Sequence, residues 1–296
     1  MFWIFSVALA EPPTILRFDV DSGRRVEDRV ALPAGEDLVL LYTGEHAGNA
    51  GPCGCSLAPR GGMATTNAII QAAKTTHRSL LTVHAGQALR SDPIQRGTQN
   101  PATEKDNAQM VSLLSPDRWD AVNVGWSEIG SVNTIGQNWV SANLRQGDAY
   151  PSVRWFDRGQ LRVAVTGVSN DGSRQLWSDD VSYTEPVQAL HQLMPSLAEA
   201  DVVIVLASGI NDIQPIADLD GVDVIIDANR HVGRWNAQVV GDAIWARSPD
   251  KGERIGDLRL WTTNDGFRVV KDGQIVMDDN IRLTGFYRKL AAELAK

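Results

Sequence analysis

Six short runs of apolar, mostly β-branched residues recur along the chain and predict buried strands. They span residues 38–43, 79–84, 121–124, 161–166, 201–207 and 222–226. A run that is apolar at consecutive positions is typical of a strand covered on both faces, as in the sheets of α/β proteins. Helical patterns fall between several of these runs, at 63–77, 104–114, 186–198 and 211–219. The alternation predicts an α/β fold.

The pattern changes from Arg234 onward, where short strands are separated by turn residues. Asn264-Asp265-Gly266 and Lys271-Asp272-Gly273 are hairpin signals, which predict closing β-hairpins within 234–278. A last helical pattern covers about 281–295. We expect one domain over 38–296, preceded by an extension at 11–37.

Composition supports a single large core and restricts the partners. A chain of 296 residues with 43% hydrophobic residues can bury such a core. Its net charge of -8, without a run of Lys or Arg, argues against a nucleic acid polymer or an anionic membrane as the main partner.

The first ten residues are an apolar stretch that ends in Ala8-Leu9-Ala10. This arrangement predicts a signal peptide at 1–10, although the usual basic start is missing, and a hydrophobic first strand is the alternative. Ten residues are too few to span a bilayer. We therefore expect an extracytoplasmic protein, periplasmic or secreted, whose mature form has no transmembrane segment.

Five loops follow the predicted strands and carry the candidate chemistry, since ligands of open α/β sheets bind at the carboxyl ends of strands. The loops are TGEHAG (43–48), AGQAL (85–89), VGWSEIG (124–130), LASGIN (206–211) and DANRHVG (227–233). Their order and flanks resemble the metallophosphoesterase domain of the 5′-nucleotidase family, in the calcineurin-like superfamily, from about residue 38 to 260. The flanks that match include GGM after a proline-cysteine segment, SAN after Val140, VDVII, and the closing AIWARSPDKGERIGDLRLW.

The resemblance implies a four-layer α-β-β-α sandwich with mixed sheets, corresponding to the family's N-terminal domain only. It also implies a site for two metal ions, and here the first two loops depart from the family. Where the family has an Asp and a His two residues apart, this chain has Glu45 and Ala47, with His46 between them. The aspartate that bridges the two metals is replaced by Gln87.

The remaining loops depart in the same way. The family's Gly-Asn-His-Glu is matched by Gly125, Trp126, Ser127 and Glu128, so that the supporting Glu128 is kept and the metal-binding Asn is lost. The fourth loop has no His. In the fifth, which is Gly-His-x-His in the family, Asn229 precedes Arg230 and only His231 is kept.

These replacements predict an eroded metal site. Two dications about 4 Å apart repel each other by on the order of 16 kcal/mol at an effective dielectric constant of 20, and bridging anions must offset that repulsion. Neutral Gln87 and Trp126 cannot do so, which leaves Glu45 as the carboxylate among the matched ligand positions. We therefore expect no cofactor; the alternative is a single divalent ion (Mn, Zn, Co or Mg) on Glu45 and His231, with Asn229 or His46.

Two functions follow from the sequence. The first is a pseudoenzyme that binds a small anionic ligand or an extracytoplasmic protein, and the second is a metal-dependent phosphoesterase with an atypical site. In the first, the binding surface contains Glu45, Gln87, Trp126 and the segment 229–231, where Arg230 can hold an anion and Trp126 can stack; His46 and Ser127 are further candidates. The plainer alternatives are that Asn229 and His231 cap loop backbone, and that Trp126 fills the core.

Cys53 and Cys55 are the only cysteines, so the spacing of a zinc finger or a haem attachment site is absent. A disulfide across one intervening residue would be strained and easily reduced. Related proteins contain similar segments, so we expect a structural pair on a surface loop; a redox role is the alternative.

Overall fold

Two six-stranded sheets carry the fold of this chain. The computed structural model describes residues 16–18, 25–27, 36–51, 61–90, 101–129, 136–172, 179–229, 237–248, 252, 254–263 and 266–276. The strands in chain order are β1 (Leu16–Phe18), β2 (Arg25–Glu27), β3 (Leu38–Thr43), β4 (Leu80–His84), β5 (Ala121–Asn123), β6 (Trp139–Val140), β7 (Leu144–Gln146), β8 (Val153–Arg158), β9 (Leu161–Ser169), β10 (Val181–Tyr183), β11 (Val202–Ser208), β12 (Val224–Asp227), β13 (Gln238–Val240), β14 (Ala243–Arg247), β15 (Arg254–Thr263) and β16 (Gly266–Val276). The helices are α1 (Met63–Thr76), α2 (Pro101–Leu113), α3 (Pro186–Leu193), followed by a 3₁₀ turn (Met194–Leu197), and α4 (Gln214–Ala217).

Both large sheets are mixed. The first has the order β16-β15-β3-β4-β5-β6, in which β3 to β6 run parallel and β15 and β16 pair antiparallel. The second has the order β13-β14-β12-β11-β9-β8, with a parallel centre and an antiparallel strand at each edge. The carboxyl ends of the parallel strands in each sheet therefore lie along one edge, from which the candidate loops leave.

Alternate side chains of β3 show why the runs are apolar throughout. Leu38, Leu40 and Tyr42 pack into a core shared with β9, β11 and β12 of the other sheet. Val39 and Leu41 point the opposite way, into a core that includes side chains of α1 and α2. The outer face of the second sheet packs in the same way against α3 and α4. The layers are thus helix, sheet, sheet and helix, which confirms the predicted four-layer mixed α/β sandwich.

The closing segment confirms one predicted hairpin and corrects the other. Strands β15 and β16 pair antiparallel with Thr263 opposite Gly266, as the turn residues at 264–266 predict. The hairpin predicted at Lys271-Asp272-Gly273 is wrong, because these residues continue β16. Asp272 and Gly273 pair in regular register with Leu258 and Asp257 of β15, and the register shifts only at the next step, between Lys271 and Val269.

The predicted signal peptide at 1–10 and the helix at about 281–295 lie outside the described residues. The extension predicted at 11–37 contributes β1 and β2, which form a two-stranded antiparallel sheet. Among the helices that the structure describes, none has the length and apolar character needed to cross a bilayer.

Candidate functional site

The loops that follow β3 and β4 are joined by backbone hydrogen bonds beyond the ends of the strands. The amide of Glu45 donates to the carbonyl of Gly86 at 2.9 Å, and the amide of Ala47 donates to the carbonyl of Gln87 at 3.0 Å. The parallel pairing of the two strands therefore extends into the loops. As a result, Glu45, Ala47 and Gln87 are held side by side.

Three residues of these loops have an unusual backbone. Glu45, Ala47 and Gln87 have φ angles of 54°, 48° and 55°, and they are the non-glycine residues with positive φ in the described part of the chain. This left-handed conformation costs an L-residue about 1–2 kcal/mol because its Cβ approaches the carbonyl oxygen. Strain of this kind concentrates at functional sites, and all three residues line one cleft.

Glu128 ties the second loop to the third. Its side chain is fully buried, and Oε1 accepts hydrogen bonds from the amides of Ala88 and Leu89 at 2.8 and 3.0 Å. The Ser127 hydroxyl also donates to Oε1, while the Gly125 amide donates to Oε2, both at 2.7 Å. Burial raises the pKa of Glu128, and these hydrogen bonds oppose the shift. All four hydrogen bonds to the carboxylate thus come from these two loops.

The cleft has a volume of about 430 Å³ and lies where the loops of both sheets meet. The first sheet contributes Glu45, Ala47, Gln87, Leu89, Trp126 and Ser127. The second sheet contributes Asn170, Gly209, Asn211 and Asn229. The structure thus brings together five of the residues predicted for the site, namely Glu45, Gln87, Trp126, Ser127 and Asn229.

Asn170 and Asn211 are members of the cleft that the sequence-based set lacks. Asn170 directly follows β9, which runs to Ser169 and not to the predicted end at residue 166. The turn signal Asn170-Asp171-Gly172 could have located it, because such residues commonly follow a strand. Asn211 closes the loop after β11, and the resemblance singles out in that loop only the absence of a His.

Trp126 lines the cleft and is partly exposed. Its side chain packs against Gly172, where a Cβ would lie 2.9 Å from the Trp126 Cγ. The backbone at Gly172 therefore fixes one side of the indole. Because its indole is partly exposed and lines the cleft, Trp126 does not fill a closed core.

Asn229 both contacts loop backbone and lines the cleft. Its Nδ2 donates to the carbonyl oxygen of Ile210 at 3.0 Å, which caps loop backbone.

Asp227, two residues before Asn229, ends β12. Burial raises the pKa of Asp227 to about 7, although the positive charge of Arg247 opposes this shift.

His46 is placed differently from the cleft residues around it. The side chain is fully buried, and its Nδ1 lies 3.0 Å from Nε2 of His84. The Gly86 amide donates to Nδ1 of His84 at 3.2 Å, so a neutral His84 carries its proton on Nε2 and donates it to His46. Burial lowers the pKa of His46 to about 3, and it lowers that of His84 well below the usual value.

The donor set of the described cleft does not fit a pair of metal ions. Among the residues that the structure describes, no group of three or more His, Cys, Asp or Glu side chains is arranged to hold a metal. Gln87 contributes a neutral carboxamide to the cleft, and Nδ1 of His46 lies 3.0 Å from Nε2 of His84. Arg230, His231, Cys53 and Cys55 lie outside the described residues.

Comparisons with solved structures identify the fold. The NAD nucleotidase of Haemophilus influenzae aligns over 86% of this chain and 55% of its own length, with TM-score 0.68 and 14% identity. A 5′-nucleotidase precursor from Thermus thermophilus aligns over 87% and 58%, with TM-score 0.70 and 16% identity. A calcineurin-like phosphoesterase from Bacillus subtilis aligns over 88% of this chain and 99% of its own, with TM-score 0.61 and 16% identity.

This chain spans a little over half of the two nucleotidases. No protein-family model matches the sequence, and no curated protein matches it. At these identities the likeness concerns the fold, which agrees with the layers and strand orders described above. The chain therefore has the calcineurin-like metallophosphoesterase fold of the 5′-nucleotidase N-terminal domain.

Proposed function

We propose that the protein is a non-catalytic binding protein that uses the cleft of a metallophosphoesterase fold to hold a small ligand. The observation that carries this proposal is the strained backbone of Glu45, Ala47 and Gln87 around an open cleft. A cleft with no role would gain stability by relaxing such strain, since strained residues persist only where the surrounding structure enforces them. A protein ligand is the alternative occupant of the same surface.

The chemistry of the lining supports binding rather than phosphoryl transfer. A two-metal reaction needs anions to hold the cations and to activate water. The described lining offers the Glu45 carboxylate together with carboxamides, a hydroxyl and an indole, which are groups that recognise a ligand by hydrogen bonds and packing. The hydrolases among the structural neighbours leave metal-dependent hydrolysis of a phosphate ester as the competing function.

Native mass spectrometry of the full chain tests the metal part of the proposal. After incubation with Mn²⁺, Zn²⁺ or Co²⁺ and buffer exchange, we expect no species that carries a metal pair. A stoichiometric pair that Glu45→Ala removes would contradict the proposal. Glu104→Ala, at an exposed position of α2, is the matched control because it removes a carboxylate away from the cleft.

Export remains a separate proposal, supported by the apolar start and by Ala8-Leu9-Ala10. We expect the mature protein to begin at Glu11 outside the cytoplasm. Mass spectrometry of the N-terminus of native protein tests this, and a cytoplasmic pool with an intact Met1 would contradict it.

A further inference from the structure

We infer that the cleft binds a neutral carbohydrate, and this inference rests on the proposed binding function. Four side-chain carboxamides, those of Gln87, Asn170, Asn211 and Asn229, line the cleft. Each carboxamide both donates and accepts hydrogen bonds. The hydroxyls of a sugar do the same, so they can pair with either end of each amide. The four amides are supplied by four different loops and converge on one cleft.

Asn170 gives the second argument. Its Oδ1 is buried and has no hydrogen-bond partner among the described residues. The side chain packs closely against the backbone of Gly209, where a Cβ would lie 2.8 Å from both its Nδ2 and its Oδ1. A ligand hydroxyl in the cleft would supply the hydrogen that this carbonyl oxygen accepts.

Trp126 gives the third argument. A sugar ring carries C–H groups on its faces and hydroxyls around its edge, so it needs an apolar surface between polar groups. The partly exposed indole of Trp126 provides that surface beside the Ser127 hydroxyl, and Gly172 holds it in place. The cleft volume of about 430 Å³ falls within the range of roughly 300 to 1,000 Å³ of small-molecule sites.

Charge distinguishes a neutral sugar from a phosphorylated ligand. Glu45 contributes a carboxylate to the described lining of the cleft, and its side chain is almost fully buried there. A neutral sugar can donate hydroxyl hydrogens to a carboxylate without the like-charge contact that a phosphate group would make. The expectation of an anionic ligand depends on Arg230, which lies outside the described residues.

The experiment is saturation-transfer NMR and calorimetric titration of the full chain with two sets of probes. The neutral probes are glucose, galactose, N-acetylglucosamine and their disaccharides, and the anionic probes are glucose 6-phosphate and AMP. We expect a neutral probe to bind, and Trp126→Ala to weaken its binding about tenfold. Asn211→Ala, at an exposed position, provides a second test that does not depend on the folding of Trp126→Ala. We expect it to weaken binding about threefold.

Two further variants test the charge of the ligand and control for the loss of an aromatic side chain. Glu45→Gln should lower the affinity for a neutral sugar or leave it unchanged. The same substitution should raise the affinity for an anionic probe, because it removes a like charge. Trp155→Ala removes a partly buried aromatic residue of β8 that packs under Arg162, and it should leave binding unchanged.

Binding of anionic probes alone, strengthened by Glu45→Gln and weakened by Trp126→Ala, would overturn the carbohydrate inference and leave the proposed binding function standing. Failure of every neutral probe to bind would overturn the carbohydrate inference, and hydrolysis of the phosphorylated probes would overturn the proposed non-catalytic function as well.

Discussion

His46 Nδ1 lies 3.0 Å from His84 Nε2, and the two fully buried imidazoles share this hydrogen bond between the loop that carries Glu45 and the end of β4. The second ring also packs edge-on against Trp119, with ring centroids 5.6 Å apart. His46, a candidate site residue in the sequence, thus has its Nδ1 engaged in a buried pair with His84.

The buried pair predicts a specific dependence of stability on pH. Because burial lowers the pKa of His46 from 6.5 to about 3, the unfolded chain binds a proton in this range that the folded chain does not. The His46 contribution to the free energy of unfolding is therefore complete above about pH 6.5. Below that it is lost at about 1.4 kcal/mol per pH unit, down to about pH 3.

Urea denaturation of the wild type and of His46→Asn, between pH 7 and about pH 4, measures how the free energy of unfolding of each depends on pH. Asn can still accept the hydrogen bond from His84, but it does not titrate. The wild type should lose stability relative to the variant as the pH falls. His191→Asn, on the exposed side of α3, controls for loss of an imidazole outside the pair. If the difference in free energy of unfolding between the wild type and His46→Asn does not change with pH, the prediction is contradicted.

Glu128→Gln should destabilise the loops by about 2–3 kcal/mol, because four hydrogen bonds end on the carboxylate of Glu128. If the Gln oxygen takes the place of Oε1, its amide nitrogen faces the Gly125 amide, and two donors then oppose each other. Denaturation at neutral pH measures the loss, with the exposed Glu104→Gln as control. Equal stability of the two variants would show that the carboxylate does not hold the loops together.

Ala47→Gly should leave the protein as stable as the wild type or raise its stability by up to about 1.5 kcal/mol. The substitution removes about 1–2 kcal/mol of left-handed strain and adds about 0.5–1 kcal/mol of unfolded-chain entropy. Ala72→Gly in the interior of α1 is the matched control and should cost about 1 kcal/mol. Similar destabilisation by both changes, measured by denaturation, would mean that Ala47 is not strained.

Sequence patterns predict the sheets well because the central strands are apolar at nearly every position. The strand over Leu38–Thr43 was predicted with both ends correct, since the polar loop begins at once after it. The hairpin predicted at Lys271 failed because the turn preference of Asp-Gly is weak, and here Asp272 and Gly273 pair with Leu258 and Asp257 of β15 as part of one long strand.

The cleft could be predicted in part. The loop motifs locate Glu45, Gln87 and Trp126, since each closely follows a strand. The burial of His46 could not be read from its neighbours in sequence, because its partner His84 lies 38 residues further along the chain. Asn170 was missed because the predicted end of β9 was three residues early.

Hydrolysis of p-nitrophenyl phosphate by the full chain, with added Mn²⁺, Zn²⁺ or Co²⁺, tests the non-catalytic account most directly. We predict a rate equal to that without protein, unchanged by Glu45→Ala. Hydrolysis that increases in proportion to protein, is lost in Glu45→Ala and is kept in the exposed control Glu104→Ala would contradict the account and establish the cleft as a working metal-dependent site.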